Sequence, residues 1–165
     1  VAFGAMVNGG ILVTPHVVRA IDGTPVKAAD PGAAMDANLS PALTDLMHHV
    51  VSTVPFYRDR TLIPGYFVGG KTGTAQIWDN EVSDWKYGVF DFTFVGYIGR
   101  QAGHPDLVIV ARIHEGDPSI RRVGQLEMPV MSFELFRRIA TDAVSIPGLL
   151  PELPLQEGPR SRFDE

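Results

Sequence analysis

Tyr66-Phe67-Val68-Gly69-Gly70-Lys71-Thr72-Gly73-Thr74-Ala75-Gln76-Ile77-Trp78 is the stretch on which the fold of this 165-residue chain turns. It reads as a strand that passes through two adjacent glycines into a polar, small-residue tract. Residues 90–98 read as a second strand, because Phe92, Phe94 and Gly96 alternate with Thr93, Val95 and Tyr97 at the period of two that sends side chains to opposite faces. Leu107-Val108-Ile109-Val110-Ala111-Arg112-Ile113 is a nearly continuous apolar run, which predicts a third strand covered on both faces. A polar loop at 79–88 and a turn at 99–106 separate them. The expectation is an α+β fold: an antiparallel sheet covered by helices.

Helical signals flank the sheet. Pro129 opens a last helix in which Phe133, Phe136, Ile139 or Ala140, and Ala143 or Val144 keep helical spacing, with Pro147 closing it. Upstream, Ser40-Pro41 places a capping hydroxyl before a first-turn proline, and Leu43, Leu46, Met47, Val50, Val51 and Val54 form an amphipathic seam expected to be core. Pro55 ends that helix, and residues 56–64 read as a connection. The apolar run 1–7 has no capping residue ahead of it, so a helix beginning before Val1 is expected, stopping at Asn8-Gly9-Gly10. Residues 11–13 and 16–21 read as short extended segments and 27–38 as a surface loop. The domain is expected over 1–147, with a proline-rich, extended or mobile tail at 148–165.

Composition narrows the function. Lys+Arg 14 against Asp+Glu 19 gives a net charge of −5, so no broad attraction to nucleic acid or anionic lipid is available. The absence of cysteine excludes disulfides, thiolate zinc sites and thiol catalysis. No run approaches the length that spans a bilayer. His48 and His49 face different directions, and His16, His104 and His114 lie on separate elements, so no metal site is expected. Lys71-Thr72-Gly73-Thr74 carries the chemistry. A fixed cation, two hydroxyls and a glycine that lets a ligand approach the backbone suit an extended peptide ending in carboxylate.

With its surroundings, the motif resembles that of the penicillin-binding transpeptidases, most closely the class B enzymes, whose superfamily signature is S-x-x-K, S-x-N and K-T-G. Residues 63–76, from Ile63-Pro64-Gly65 to Ala75-Gln76, resemble the stretch around the third motif. Asn8-Gly9-Gly10 with Pro15, Phe94-Val95-Gly96-Tyr97 and residues 129–139 resemble segments before and after it, in family order. The resemblance implies a partial transpeptidase fold of the serine β-lactamase type. It implies that Lys71, Thr72, Gly73, Thr74 and Gln76 bind substrate, that Lys71 and the Thr74 backbone N–H serve catalysis, and that no cofactor or metal is needed. The implied partners are the D-Ala-D-Ala stem peptide of peptidoglycan, β-lactams, the upstream half of the domain, and division or elongation proteins. The parent would be anchored in the cytoplasmic membrane with this domain outside.

The first two motifs should precede Lys71, and neither is present. No serine stands two residues before Asn8, Asn38 or Asn80, and of seven serines only Ser83-Asp84-Trp85-Lys86 has S-x-x-K spacing. Its place in the loop after the third motif argues against a nucleophile, which needs a base on a rigid element. The resemblance therefore implies the C-terminal half of a transpeptidase domain, inactive by itself. A non-catalytic penicillin-recognising sensor is the alternative, and a serine β-lactamase a third option less similar after residue 88. Trp78, Trp85 and Tyr87 are expected to anchor the loop or to touch substrate. Arg121-Arg122 and Arg137-Arg138 read as solvated charge pairs.

Overall fold

A computed structural model describes residues 1–27, 31–117, 122–123, 126–127 and 131–150. In chain order the elements are α1 (Ala2–Val7), β1 (Ala20–Ile21), β2 (Thr24–Pro25), α2 (Leu39–Thr53), α3 (Pro55–Thr61), β3 (Phe67–Asp79), β4 (Asp84–Gly99), β5 (Leu107–Gly116), β6 (Arg122–Val123), β7 (Leu126–Glu127) and α4 (Ser132–Val144). The main sheet has the order β3-β4-β5, antiparallel throughout. Gly70 stands opposite Gly96, Lys71 opposite Val95 and Thr74 opposite Phe92. This is the α+β architecture the sequence implied.

Alternation along β4 builds the core. Phe94 and Ile98 turn to one face with Val68 of β3 and Ala111 of β5, and meet Phe133, Phe136 and Ala140 of α4. The Phe94 and Phe136 rings lie 4.8 Å apart. In α4 the buried face selects Ala140 and Ala143 and leaves Ile139 exposed. The Met131 N–H donates to the Glu134 carboxylate at the start of this helix. Pro129, expected to open it, lies outside the described residues.

Several expectations need correction. β5 is not covered on both faces: Ala111 is buried, but Val110 is 64% exposed and Val108 is exposed as well. An uninterrupted apolar run is compatible with an edge strand whose outer face stays open. The loop at 79–88 is much shorter, because pairing continues through Trp78 opposite Trp85 and Asp79 opposite Asp84. The two indoles pack edge to face, 5.2 Å apart, and such cross-strand aromatic pairs hold a hairpin together. Residues 56–64 are not merely a connection. Pro55 presets the first turn of α3, and Phe56 and Tyr57 anchor it on Phe133 at 5.3 and 5.4 Å.

Ser40 does not cap α2, which starts at Leu39. Its hydroxyl donates to the Met6 carbonyl at 2.7 Å and accepts from the Gly9 N–H at 3.0 Å, tying the end of α1 to α2. Gly9 and Gly10, both at positive φ, lead the chain away from α1. The inner face of α2 also differs from the expected seam: Thr44 and Val51 are buried while Leu46 is exposed. Thr44 reaches the interior at little cost because its hydroxyl donates to the Ser40 carbonyl. Of the extended segments expected over 11–21, only Ala20–Ile21 pairs as a strand, with Thr24–Pro25 across an Asp22-Gly23 turn. Leu150 is buried in the core, and residues 151–165, most of the expected tail, lie outside the described residues, as do residues 28–30 of the loop and Arg121. No helix among the described residues is long and apolar enough to cross a membrane.

Candidate functional site

β3 changes character between Gly70 and Lys71. Val68, Gly69 and Gly70 are buried, whereas Lys71 and residues 73–76 are exposed and Thr72 is half-buried. The glycines differ in the same way. A Cβ on Gly69 would come within 2.5 Å of the Tyr97 ring, and one on Gly70 within 2.6 Å of both the Phe94 ring and the Val95 carbonyl oxygen. A Cβ on Gly73 would meet nothing closer than Thr93 Cβ at 3.8 Å, an ordinary contact. The protein itself uses the first two glycines for packing and makes no such use of the third.

The buried half is clamped. His48, from α2, donates from Nδ1 to the Val68 carbonyl at 2.6 Å and sets its ring edge on Phe67. Tyr97 of β4 donates its hydroxyl to the Thr44 carbonyl at 2.8 Å, and burial pushes its phenol well above the ordinary pKa, so it stays a donor. The exposed half is an edge: β3 pairs with β4 on one side only among the described strands.

Lys71 and Thr72 come together on this edge. Lys71 Nζ donates to the Thr72 carbonyl at 2.8 Å and to Thr72 Oγ1 at 3.3 Å. The Thr72 hydroxyl is also bonded to the Tyr57 hydroxyl of α3, at 3.1 Å. Thr74 and Gln76 lie further along the same edge, both exposed. Together these residues offer a cation, two threonine hydroxyls and an accessible backbone to an anionic peptide end. Neither Tyr57 nor the bond from His48 was legible as part of this arrangement. A lone tyrosine in an apparent connection carries no periodic signal.

Ser83 is not brought to the motif. It sits in the turn beyond Asp79, eight residues along β3 from Lys71, or about 26 Å at the usual strand rise. Lys86, the partner in its S-x-x-K spacing, is engaged by Glu115, whose hydrogen bond raises the lysine pKa. A lysine held charged is a poor base. Trp78 and Trp85 pack on each other and stay half exposed, while Tyr87 is fully exposed. Among the described residues no group of three histidine or acidic side chains is placed to hold a metal.

On the outer sheet face, Asp91 accepts from Arg112 Nη2 and from His114 Nδ1, both at 2.6 Å. These bonds, Arg112 first, hold its carboxyl below the usual range, and Lys86 does the same for Glu115. A cleft of about 530 Å³ lies elsewhere, lined by Asn8, Gly9, Ser40, His104 and Asp106 among others. Asn8, Ser40 and Asp106 there bond to nearby backbone groups.

Residues 1–129 match the family model described as the penicillin-binding protein transpeptidase domain. Stage V sporulation protein D of Bacillus subtilis is 30% identical over 136 residues, which cover 79% of this chain and 20% of that protein. Among solved structures, the transpeptidase domain of Burkholderia pseudomallei penicillin-binding protein 3 superimposes with a TM-score of 0.65 at 22% identity, over 93% of this chain and 42% of that one. Penicillin-binding protein 3 of Mycobacterium tuberculosis, in complex with ampicillin, gives 0.67 at 24% identity, over 94% and 37%. The chain thus spans a fifth of the sporulation protein and about two fifths of these two structures.

Proposed function

The chain belongs to the penicillin-binding protein transpeptidases, class B, and from that premise we propose that residues 71–76 are the substrate-binding edge of a peptidoglycan D,D-transpeptidase. The observation that carries this reading is the passage from Gly70 to Gly73, where a strand locked by packing becomes an open edge beside a lysine and a hydroxyl network. A stem peptide ending in D-Ala-D-Ala adds to this edge as an extended strand. The Lys71 ammonium and the Thr74 hydroxyl take its carboxylate, Thr72 positions that network, and Gly73 admits its backbone. Gln76 contacts the peptide further along.

The chemistry is acyl transfer through a serine ester. A serine outside this chain, activated by the lysine of its S-x-x-K motif, attacks the penultimate D-Ala carbonyl. The oxyanion that forms is held by the Thr74 N–H and by the N–H of the nucleophile, and the terminal D-Ala leaves as its nitrogen takes a proton. An amine of a second stem peptide then attacks the ester and regenerates the serine. One oxyanion donor is worth roughly 3–4 kcal/mol of transition-state stabilisation. Residues 1–165 supply one of the two donors and no nucleophile, so by themselves they bind without acylation. β-Lactams occupy the same edge. On the same reading the domain works outside the cytoplasmic membrane, on an anchored parent that associates with division or elongation proteins.

A penicillin-recognising sensor would keep the same edge without turnover, and one experiment separates the two. The full-length protein is incubated with fluorescent penicillin and then with a stem-peptide donor and acceptor. Covalent labelling and cross-linking are expected, with no labelling of the 165-residue chain alone. Labelling without turnover would leave the sensor. The absence of S-x-x-K and S-x-N upstream of Val1 would remove the catalytic claim, and labelling abolished by Ser83→Ala would overturn the assignment of the nucleophile outside this chain.

A further inference from the structure

Tyr57 sits in the first turn of α3, fifteen residues before the threonine it touches on β3. Its ring is held edge-on by Phe133 at 5.4 Å and 85°, and by Phe56 at 5.5 Å and 67°. The ring cannot swing without breaking both contacts, so the direction of its hydroxyl is set by the core. That hydroxyl stops 3.1 Å from Thr72 Oγ1, a half-buried group one residue from Lys71.

Thr72 Oγ1 has one hydrogen and two lone pairs. Lys71 Nζ donates to one lone pair, leaving the hydrogen and the other lone pair for Tyr57. Whichever of the two hydroxyls donates, Thr72 is restrained from the hydrophobic side while it accepts from Lys71 on the solvent side. A threonine side chain has few staggered positions, and this bond selects one of them. Without it the hydroxyl can rotate away, and the Lys71 ammonium, on its flexible stem, keeps only the Thr72 carbonyl as an anchor.

We infer that Tyr57 is a positioning residue for the substrate edge: acting through the Thr72 hydroxyl, it sets where the Lys71 ammonium stands. This rests on the reading of residues 71–76 given above. Tyr57 is well placed for the task because α3 reaches the motif from the helical side of the sheet, leaving the outer edge open to a ligand. The effect belongs to the hydroxyl alone, since packing belongs to the ring.

The test is the second-order rate of acylation of the full-length protein by fluorescent penicillin. Tyr57→Phe keeps the ring between Phe56 and Phe133, so the unfolding midpoint is expected to stay within about 2 °C. The acylation rate is expected to fall about three- to tenfold, the size of one neutral hydrogen bond. Thr72→Val removes the same link from the other side and is expected to fall at least as far. In the Thr72→Val background, adding Tyr57→Phe is expected to cost nothing more, whereas Thr72→Ser, which keeps the hydroxyl, retains the dependence on Tyr57. Equal rates for wild type and Tyr57→Phe, or independent losses that multiply in the double variant, would overturn the proposal while leaving the substrate edge intact. A wild-type protein that is not labelled at all would instead remove the reading of the edge, and this proposal with it.

Discussion

Gly70 and Gly73 stand three residues apart on one strand, in opposite surroundings. Gly70 is enclosed: a single added carbon would collide with the Phe94 ring and with the Val95 carbonyl of the neighbouring strand. Gly73 has room for that carbon. The first glycine exists for the fold. The second meets no packing demand, and on the proposed reading its bare backbone admits the substrate. The rest of β3 follows the same division, with His48 and Tyr97 fastening the buried half and Lys71, Thr72 and Thr74 presented on the open one. A site of this kind is precise because its strand is immobilised a few residues before the working groups begin.

The sharpest way to break this contrast is to add the same methyl group at both positions. Gly70→Ala is expected to destabilise the full-length protein by about 3 kcal/mol, the upper end for overpacking where backbone must shift. Chemical unfolding monitors it. A loss below about 1 kcal/mol would mean that the strand is not clamped there. Next in size is Lys71→Ala. Loss of a charged donor to the substrate carboxylate is expected to lower penicillin acylation about 10- to 100-fold, with unfolding unchanged because the side chain is exposed. Gly73→Ala then completes the pair: stability within about 0.5 kcal/mol of wild type, and acylation down about tenfold as the new methyl meets the ligand. Full acylation activity in Gly73→Ala would show that the ligand does not approach the backbone there.

Much of this was legible in the sequence because it is local. Alternation from Phe92 to Tyr97 separated the two faces of β4, and Lys71 to Thr74 stood out as a motif through the family resemblance of residues 63–76 around it. What escaped reading depends on contacts between distant elements. α3 is only two turns long, too short for a periodic stripe, and is held by Phe133, more than seventy residues away. Ser40 looks like a cap because the same hydroxyl before a proline suits either role, and only the approach of Met6 and Gly9 decides between them. Thr44 reads as polar surface until its bond to the Ser40 carbonyl makes burial inexpensive, which turns the face of α2 and leaves Leu46 outside. Tyr57 was hidden for the same reason: its significance lies in a bond across elements to Thr72.

The smallest expected effect concerns the outer face of the sheet, where charge replaces packing. Asp91 is held below the usual carboxylate range, first by the hydrogen bond from Arg112 and then by that from His114. A carboxyl whose pKa is lower in the folded state than in the unfolded chain stabilises the fold above its unfolded pKa, and that contribution disappears as pH falls through the folded value. Asp91→Asn is therefore expected to lower the unfolding midpoint slightly at pH 7, and the difference from wild type should shrink from about pH 4 downward. Molar salt should shrink it as well, since the group and its partners lie at the surface. Thermal unfolding of both proteins between pH 2.5 and 7, at low and high salt, makes the comparison. A difference that stays constant across that range would show that Asp91 acts by shape and neutral hydrogen bonding, and that the outer face, like the buried half of β3, is held by packing after all.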